Sequence, residues 1–217
     1  GYRSGRKKFV YDGVSSKEAD FIGPYLLPNI NTFIQERRTI LSDMPLMHNG
    51  SMPNDGGGLL VNRAEARSLI KEDSRTSEFL RVFVGTSELI DGKLRYAIWC
   101  PDEMYGMRAQ QIECLNSRFA MVQSHRSRST RPATNSLANV PYRFGEVRWT
   151  EKSSFIVPRH SGERRTYIPA AIDRGEKVVG DSALFVPSSL QWDFAIFSTR
   201  MHTLWIATVC GKIKSDF

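Results

Sequence analysis

The strongest helical pattern in the chain covers residues 104–129, MYGMRAQQIECLNSRFAMVQSHRSRS. Its apolar residues recur at Met107, Ile112, Leu115, Phe119 and Val122. A period near 3.6 residues is typical of an amphipathic helix with one buried face. We therefore expect a long helix over residues 104–129 that packs on a sheet through Ile112, Leu115, Phe119 and Val122 and ends in a basic run.

Extended segments dominate the chain after this helix. Short β-type runs bounded by turn residues cover residues 144–149, 154–157, 165–169, 178–179 and 183–186. Elsewhere the pattern predicts a helix over 63–73, a short helix over 77–82, a hairpin over 89–99 that turns at Asp91-Gly92, and a closing helix over 191–210. We therefore predict an α+β (mixed α/β) fold, a single domain with a twisted mixed or antiparallel sheet packed by helices.

The charge balance favours a polyanionic partner. The 217 residues include 30 Lys and Arg against 23 Asp and Glu, which gives a formal net charge of +7. Three cysteines, Cys100, Cys114 and Cys210, are too few and too scattered for a disulfide framework or a zinc site. They fit a reducing cytosol, and no apolar run approaches the roughly 18 residues of a membrane span. We expect a cytoplasmic protein.

Enzyme motifs are absent from the sequence. It has no Walker phosphate loop, dinucleotide-binding glycine pattern, zinc-protease HExxH or nucleophile elbow. The glycine cluster after Asp55 lacks the Lys-Ser/Thr of a phosphate loop, so a tight turn is the main interpretation and phosphate contact the alternative. His202 is interpreted as a buried or boundary histidine rather than a catalytic base. The sequence supports no catalytic residue and no metal site.

A series of phrases along the chain carries a family resemblance. They are PYLLPNINTF (24–33), MPLMHNGSMPNDGG (44–57), LRVFVGTSE (80–88), RYAIW (95–99), ERRTYIP (163–169), STRMHTLWIATVC (198–210) and GKIKSD (211–216). In this order and spacing they resemble the target-recognition domain of MmeI-like (type IIL/IIG restriction-modification) bacterial DNA adenine-N6 methyltransferases. The resemblance covers nearly the whole chain from about residue 23.

The resemblance implies a domain organisation and a function. Residues 1–22 are expected to form an N-terminal basic segment or linker, and residues 23–217 a DNA target-recognition domain excised from a larger methyltransferase. In that family a domain with S-adenosylmethionine-binding and Asn-Pro-Pro-Tyr motifs precedes this region, often in one polypeptide with a nuclease. This chain contains neither motif. We expect it to bind double-stranded DNA beside the methyltransferase domain of the same polypeptide, with no cofactor or catalysis of its own.

The resemblance also implies which residues read bases. Family members carry base-reading residues at positions matching Arg159, Asp181, Ser182, Lys214 and Asp216. Arg or Lys suits guanine O6 and N7, and a carboxylate accepts from cytosine N4. Arg159 with Asp181, and Lys214 with Asp216, therefore each combine a guanine reader with a cytosine reader. The alternative for each pair is an exposed salt bridge worth under about 1 kcal/mol.

Phosphate contacts must supply the sequence-independent part of the affinity. The candidates are Arg126, Arg128, Arg131, Arg164 and Arg165. The alternative for each is a solvated surface charge. Another function class stays open, a non-catalytic scaffold or protein-interaction domain with incidental basic charge. An RNA-binding module is not favoured, because its signature of aromatic residues interleaved with basic ones is missing.

Overall fold

The computed structural model describes residues 7–37, 39–40, 43–162 and 164–210 of the chain, in which strands and helices occur mostly in separate runs. The strands there are β1 (Lys8–Tyr11), β2 (Ser16–Ala19), β3 (His48–Asn49), β4 (Leu60–Asn62), β5 (Leu80–Val84), β6 (Arg95–Ile98), β7 (Ser154–Pro158), β8 (Ala171–Asp173), β9 (Val178–Val179) and β10 (Ala183–Pro187). The helices are α1 (Arg63–Glu72), α2 (Thr86–Asp91), α3 (Glu103–Ala109), α4 (Glu113–Ser127), α5 (Pro132–Asn135), α6 (Gln191–Phe197) and α7 (Arg200–Val209).

The strands form one hairpin and two four-stranded sheets. β1 and β2 pair as an antiparallel hairpin within the expected N-terminal segment. The central sheet has the order β4-β6-β5-β9, and its β9 runs parallel to β5. The C-terminal sheet has the order β3-β10-β7-β8 and is antiparallel throughout. The α+β prediction is confirmed, with mixed and antiparallel pairing divided between two sheets.

The core beneath the central sheet contains the predicted helix face. Ile112, Leu115, Phe119 and Val122 are all buried and share one cluster with residues of β4 and β6. The prediction of a single helix over 104–129 is wrong, however, because two helices occupy this stretch. Helix α3 ends at Ala109, and Ile112, which has an extended conformation, precedes the first residue of α4. The break shifts the helical phase, so Met107 lies outside the buried face and is 56% exposed.

Two local predictions before α3 are wrong. The short helix predicted over 77–82 is wrong in its type and bounds, because a 3₁₀ helix covers 74–79 and β5 follows at once as an inner strand of the central sheet. Asp91-Gly92 is not a hairpin turn. Helix α2 occupies residues 86–91, and Gly92 adopts a left-handed φ of 65° as its C-cap. A glycine with positive φ suits both a helix C-cap and a hairpin turn, so the Asp-Gly dipeptide alone does not distinguish these two structures.

The second half of the chain follows the predicted pattern in part. Strands β7, β9 and β10 lie where extended runs were predicted. Residues 144–149 are irregular apart from a bridge between Met52 and Glu146, and 165–169 form a loop, with β8 supplying the edge strand instead. The closing helix is interrupted, because the Thr199 side chain accepts from the His202 N–H and caps a new helix, α7.

Candidate nucleic-acid interface

The structure brings Arg159, Asp181 and Ser182 together at one end of the C-terminal sheet. Pro158, the last residue of β7, pairs with Ala183, the first residue of β10. The next pair outward is Arg159 and Ser182, and the Arg159 N–H donates to the Ser182 carbonyl at 3.1 Å. Asp181 precedes Ser182 in the 180–182 connection, by which the chain passes from β9 in the central sheet to β10.

The side chains at this end are available to a partner. Arg159 and Ser182 are exposed, and Asp181 is half-buried. Within the described part of the chain, neither the Arg159 guanidinium nor the Asp181 carboxylate forms an ion pair, with each other or with another residue. The surface salt bridge that was the alternative for this pair is therefore not formed, and their role as base readers stays a prediction.

The 180–182 connection is fixed by the junction of β5 and α2. The Thr86 N–H donates to Ser182 Oγ at 3.0 Å, and Thr86 Oγ1 donates to the Ser182 carbonyl. The Gly180 N–H donates to the Val84 carbonyl at 2.9 Å. A Cβ on Gly85 would come within 2.5 Å of Ser182 Oγ, so a larger residue here would displace the Ser182 side chain. The connection therefore has little freedom to move.

A buried carboxylate holds this junction. The Glu88 side chain is 4% exposed, and its two oxygens accept from the Gly85 N–H at 2.8 Å and from Arg95 Nε at 2.7 Å. Burial by itself raises the pKa of Glu88, but hydrogen bonds from Arg95 and Gly85 outweigh it, so the pKa lies below its usual value and the carboxylate is ionised at neutral pH.

Sequence reasoning missed Thr86 as a residue of this site. A Gly-Thr-Ser-Glu order with an acidic residue at the third helical position is typical of a helix N-terminus. That signal places Thr86 at the start of a helix, but nothing in it points to Ser182. The second predicted reading pair, Lys214 and Asp216, lies outside the described residues and stays a prediction.

The prediction of a phosphate contact at Arg126 is wrong. This side chain is 0% exposed. Its guanidinium donates at 2.7 to 3.0 Å to the backbone carbonyls of Pro53, Asn54, Leu137, Val140 and Arg143. An arginine side chain has five N–H donors, and these contacts use them all. Burial lowers the pKa of Arg126, while the nearby Asp55 acts in the opposite direction.

The other predicted phosphate-contact residues are exposed and form two separate groups. Arg128 and Arg131 follow the buried part of α4, where Arg128 Nε donates to the Ser124 carbonyl at 3.1 Å. Arg164 and Arg165 lie in the loop that begins at Arg159. Arg200 at the start of α7 donates to the Thr166 carbonyl at 2.7 Å and so ties this loop to the C-terminal helices. Arg164 and Arg165 therefore lie on the same loop as Arg159, a predicted base reader.

The glycine cluster after Asp55 forms a tight turn. Asp55 is buried, and its carboxylate accepts from the Leu59 N–H at 2.6 Å. The Gly58 N–H donates to the Asp55 carbonyl at 3.3 Å and closes the turn. A buried carboxylate in the turn disfavours an anion there, so the structure favours the turn over phosphate contact.

The remaining chemistry candidates have structural explanations. His202 is half-buried with its ring 4.4 Å from that of Phe197, and burial lowers its pKa. The residues that the structure describes contain no cluster of His, Cys, Asp and Glu able to hold a metal ion. In the same residues, no helix has the length and apolar character to cross a membrane.

Comparison with known proteins gives the family. A model of the MmeI target recognition domain matches residues 28–217. The chain is 30% identical over 210 residues to DNA methyltransferase A of Bacillus subtilis (strain 168). This aligned region is 97% of this chain and 24% of that protein. Its fold is similar to that of the type IIL restriction-modification enzyme MmeI solved in complex with DNA, with a TM-score of 0.83 and 24% identity over 97% of this chain and 29% of that one.

The chain therefore belongs to the MmeI target recognition domain family. It spans about a quarter of the length of the curated relative that it matches.

Proposed function

We propose that this chain reads a specific sequence of double-stranded DNA and directs a site-specific adenine methyltransferase, of which it is one domain, to that sequence. The observation that carries the proposal is the convergence of Arg159, Asp181 and Ser182 at one end of the C-terminal sheet, with no ion pair between the two charges. The names of its relatives, a DNA methyltransferase and a DNA-bound restriction-modification enzyme, support the same function.

Base chemistry explains why two opposite charges at the same end of a sheet suit a G·C pair. In the major groove guanine presents two acceptors, O6 and N7, and cytosine presents a donor, the N4 amine. The Arg159 guanidinium has donors for guanine, and the Asp181 carboxylate accepts from the cytosine paired with it. The Ser182 hydroxyl already accepts from the Thr86 N–H, and its own O–H is a donor suited to a neighbouring base. Lys214 and Asp216 repeat the same combination at a second base pair.

Affinity in this proposal comes from exposed arginines. Arg164 and Arg165 lie in the loop that starts at Arg159, so they would neutralise phosphates beside the base that Arg159 reads. Arg128 and Arg131 are two further exposed cations. Each phosphate contact releases condensed counterions, which makes this part of the binding depend strongly on salt.

The catalytic function belongs to the rest of the polypeptide in this proposal. S-adenosylmethionine would bind in the methyltransferase domain and supply the methyl group for the adenine N6, and this chain would bind no cofactor. A nuclease in the same polypeptide would complete a bacterial restriction-modification enzyme acting in the cytoplasm. This domain contributes the choice of sequence.

A selection from random duplexes tests the proposal. The chain is incubated with a pool of duplexes containing a randomised region, bound DNA is recovered and sequenced, and the consensus duplex is titrated by fluorescence anisotropy at two salt concentrations. We expect a consensus containing guanine positions and preference for that duplex over single-stranded DNA and RNA. Equal binding to all nucleic acids, or none, would contradict the proposal and favour a scaffold.

A matched variant separates base readout from general binding in the same selection. Arg159→Ala should relax the consensus at one guanine and leave the other positions intact, because only one base contact is removed. Arg75→Ala is the control, since Arg75 is already paired with Asp73 at 2.6 Å on another part of the surface. The control should return the consensus of the unchanged chain.

A further inference from the structure

The C-terminal helices α6 and α7 are apolar on two opposite sides. Their inner side packs on the C-terminal sheet, where Phe197 is buried with Phe155 and Val186, and Phe194 and Ile206 cover the same cluster. The two helices also pack against each other. A surface helix normally has one apolar stripe and a polar remainder, and a helix that is apolar all round is typically buried. The outer side of this pair therefore requires an explanation.

The outer side contains large apolar side chains in contact with solvent. We define the α6–α7 outer face by Leu190, Trp192, Ile196, Met201, Leu204 and Trp205. Trp192 is 63% exposed, Met201 80% and Trp205 53%. The spacing of four residues between Trp192 and Ile196, and of three and four within the α7 set, places each set along one side of its helix. Apolar patches of this kind mark interaction surfaces.

Charge excludes DNA as the occupant of this face. Residues 189–210 contain three titratable side chains other than Cys210, namely Asp193, Arg200 and His202. Asp193 is buried and accepts from the Leu190 N–H, and Arg200 donates to the Thr166 carbonyl. The face thus offers no cluster of cations for phosphates, in a chain whose net charge is +7. Its chemistry, rich in Trp and Met and poor in charge, is that of the centre of a protein interface.

We propose that the α6–α7 outer face docks against the methyltransferase domain of the same polypeptide. The proposal rests on the proposed function. Each match covers 97% of this chain, but only 24% of DNA methyltransferase A and 29% of the MmeI chain. Most of each relative therefore lies outside the matched region. A reading domain selects the base that is methylated only if it sits at a fixed distance from the catalytic centre, and a flexible linker does not fix that distance.

The position of the helices fits this role. Arg200 ties α7 to the loop that contains Arg164 and Arg165, and α6 packs on Phe155 of β7, the strand that leads to Arg159. A domain docked on the outer face would therefore be connected to the predicted base readers through the C-terminal helices and the C-terminal sheet. The docked contact would fix the position of the catalytic centre relative to the bases that this domain reads.

Hydroxyl-radical footprinting of the full-length polypeptide without DNA measures whether the face is covered. Oxidation rates of Met201, Trp192 and Trp205 are compared between the folded and the urea-unfolded polypeptide. We expect at least about tenfold slower oxidation of Met201 in the folded polypeptide, because interface centres pack as tightly as protein interiors. A Met201 rate close to that of the unfolded chain would overturn the proposal.

Photo-cross-linking identifies what covers the face. Benzoylphenylalanine is placed at position 201 of the full-length polypeptide, and the cross-linked peptides are identified by mass spectrometry. A cross-link within one polypeptide to its methyltransferase domain supports the proposal. A cross-link to another domain, a product of doubled mass from a second copy, or no cross-link at all overturns it. A full-length sequence without a methyltransferase domain would instead refute the proposed function, so the two failures are distinguishable.

Discussion

The backbone N–H of Arg159 donates to the carbonyl of Ser182 at 3.1 Å, one residue beyond the last regular pair of β7 and β10. The same carbonyl accepts from Thr86 Oγ1. Two predicted base-reading segments are thereby held to each other and to the start of α2. Sites built on strands and their immediate ends are more precise than sites on long loops.

Thr86 should control the precision of reading without contacting a base. Thr86→Val removes the hydroxyl that donates to Ser182, so the 180–182 connection loses one of the hydrogen bonds that hold it to the junction of β5 and α2. We expect lower affinity for the consensus duplex, by about fivefold to tenfold for a lost hydrogen bond of roughly 1 kcal/mol or a little more, and unchanged affinity for a random duplex. Anisotropy titrations with both duplexes make the measurement. Thr86→Ser, which keeps the hydroxyl, should bind like the unchanged chain, and equal losses on both duplexes would count against this role.

Arg126 should stabilise the fold and not bind DNA directly. Arg126→Leu removes all five hydrogen bonds from this side chain to backbone carbonyls. Within the described part of the chain, the carbonyls of Asn54 and Arg143 then have no donor, whereas the other three each keep one backbone donor. Because each unsatisfied group costs about 1–3 kcal/mol, we expect a loss of at least roughly 2 kcal/mol in the free energy of unfolding. Urea denaturation measures it. The control Arg128→Leu, at an exposed position of the same helix end, should change stability by no more than about 0.5 kcal/mol. Similar stability of both variants would contradict the role assigned to Arg126.

Arg164 and Arg165 should contribute sequence-independent affinity. We expect Arg164→Ala and Arg165→Ala each to weaken binding to consensus and random duplexes alike. The slope of log affinity against log salt should fall by about 1 for each lost phosphate contact. Titrations over a range of salt concentrations give the slope. An unchanged slope would show that the residue is a solvated surface charge, and Arg75→Ala again serves as the variant without an expected effect.

Acid should destabilise the junction that holds the 180–182 connection. The pKa of Glu88 is lowered in the folded protein from a usual value of 4.5, so its ionised form stabilises the fold above that pH. This contribution is lost as the pH falls through the lowered folded value. We expect Glu88→Gln to be less stable than the unchanged chain at pH 7, with the difference shrinking below about pH 4.5. Urea denaturation at pH 7 and pH 3.5 tests this, and a constant difference would contradict it.

The parts of the fold that depend on local pattern were predictable. The apolar period of Ile112, Leu115, Phe119 and Val122 identified a buried helix face, because burial repeats with the helix turn. The break before α4 was not predictable, since Gln110 and Gln111 suit a helix as well as a turn. Gly92 was misassigned because a left-handed φ serves a helix C-cap and a hairpin equally.

Contacts between distant segments were outside the reach of the sequence. Arg126 looks like the start of a basic surface run, but its carbonyl partners come from residues 53–54 and 137–143. Thr86 meets Ser182 across 96 positions of sequence. Arg159 and Asp181 were found only through the family resemblance, because an isolated exposed charge carries no signal of its own. The structure adds that Arg159 pairs with Ser182, the residue that follows Asp181.

The central claim is that Arg159 and Asp181 together read one G·C pair, and an exchange of their charges tests it. In the full-length enzyme, Arg159→Glu with Asp181→Arg places an acceptor where guanine was read and a donor where cytosine was read. The preferred pair should therefore reverse at one position, with discrimination of about 1–3 kcal/mol for each base contact. Lys214→Glu with Asp216→Arg should reverse a different position in the same way.

Sequencing of methylated adenines in the genomes of cells that express each variant is the most direct measurement. We expect a recognition motif in which one guanine becomes cytosine and all other positions stay the same. The control exchanges the exposed ion pair of Lys7 and Glu18, at 2.9 Å in the N-terminal hairpin, and should leave the motif unchanged. An unchanged motif after the Arg159 and Asp181 exchange, with methylation still active, would contradict the role of these two residues as base readers. They would then be surface charges without a part in recognition.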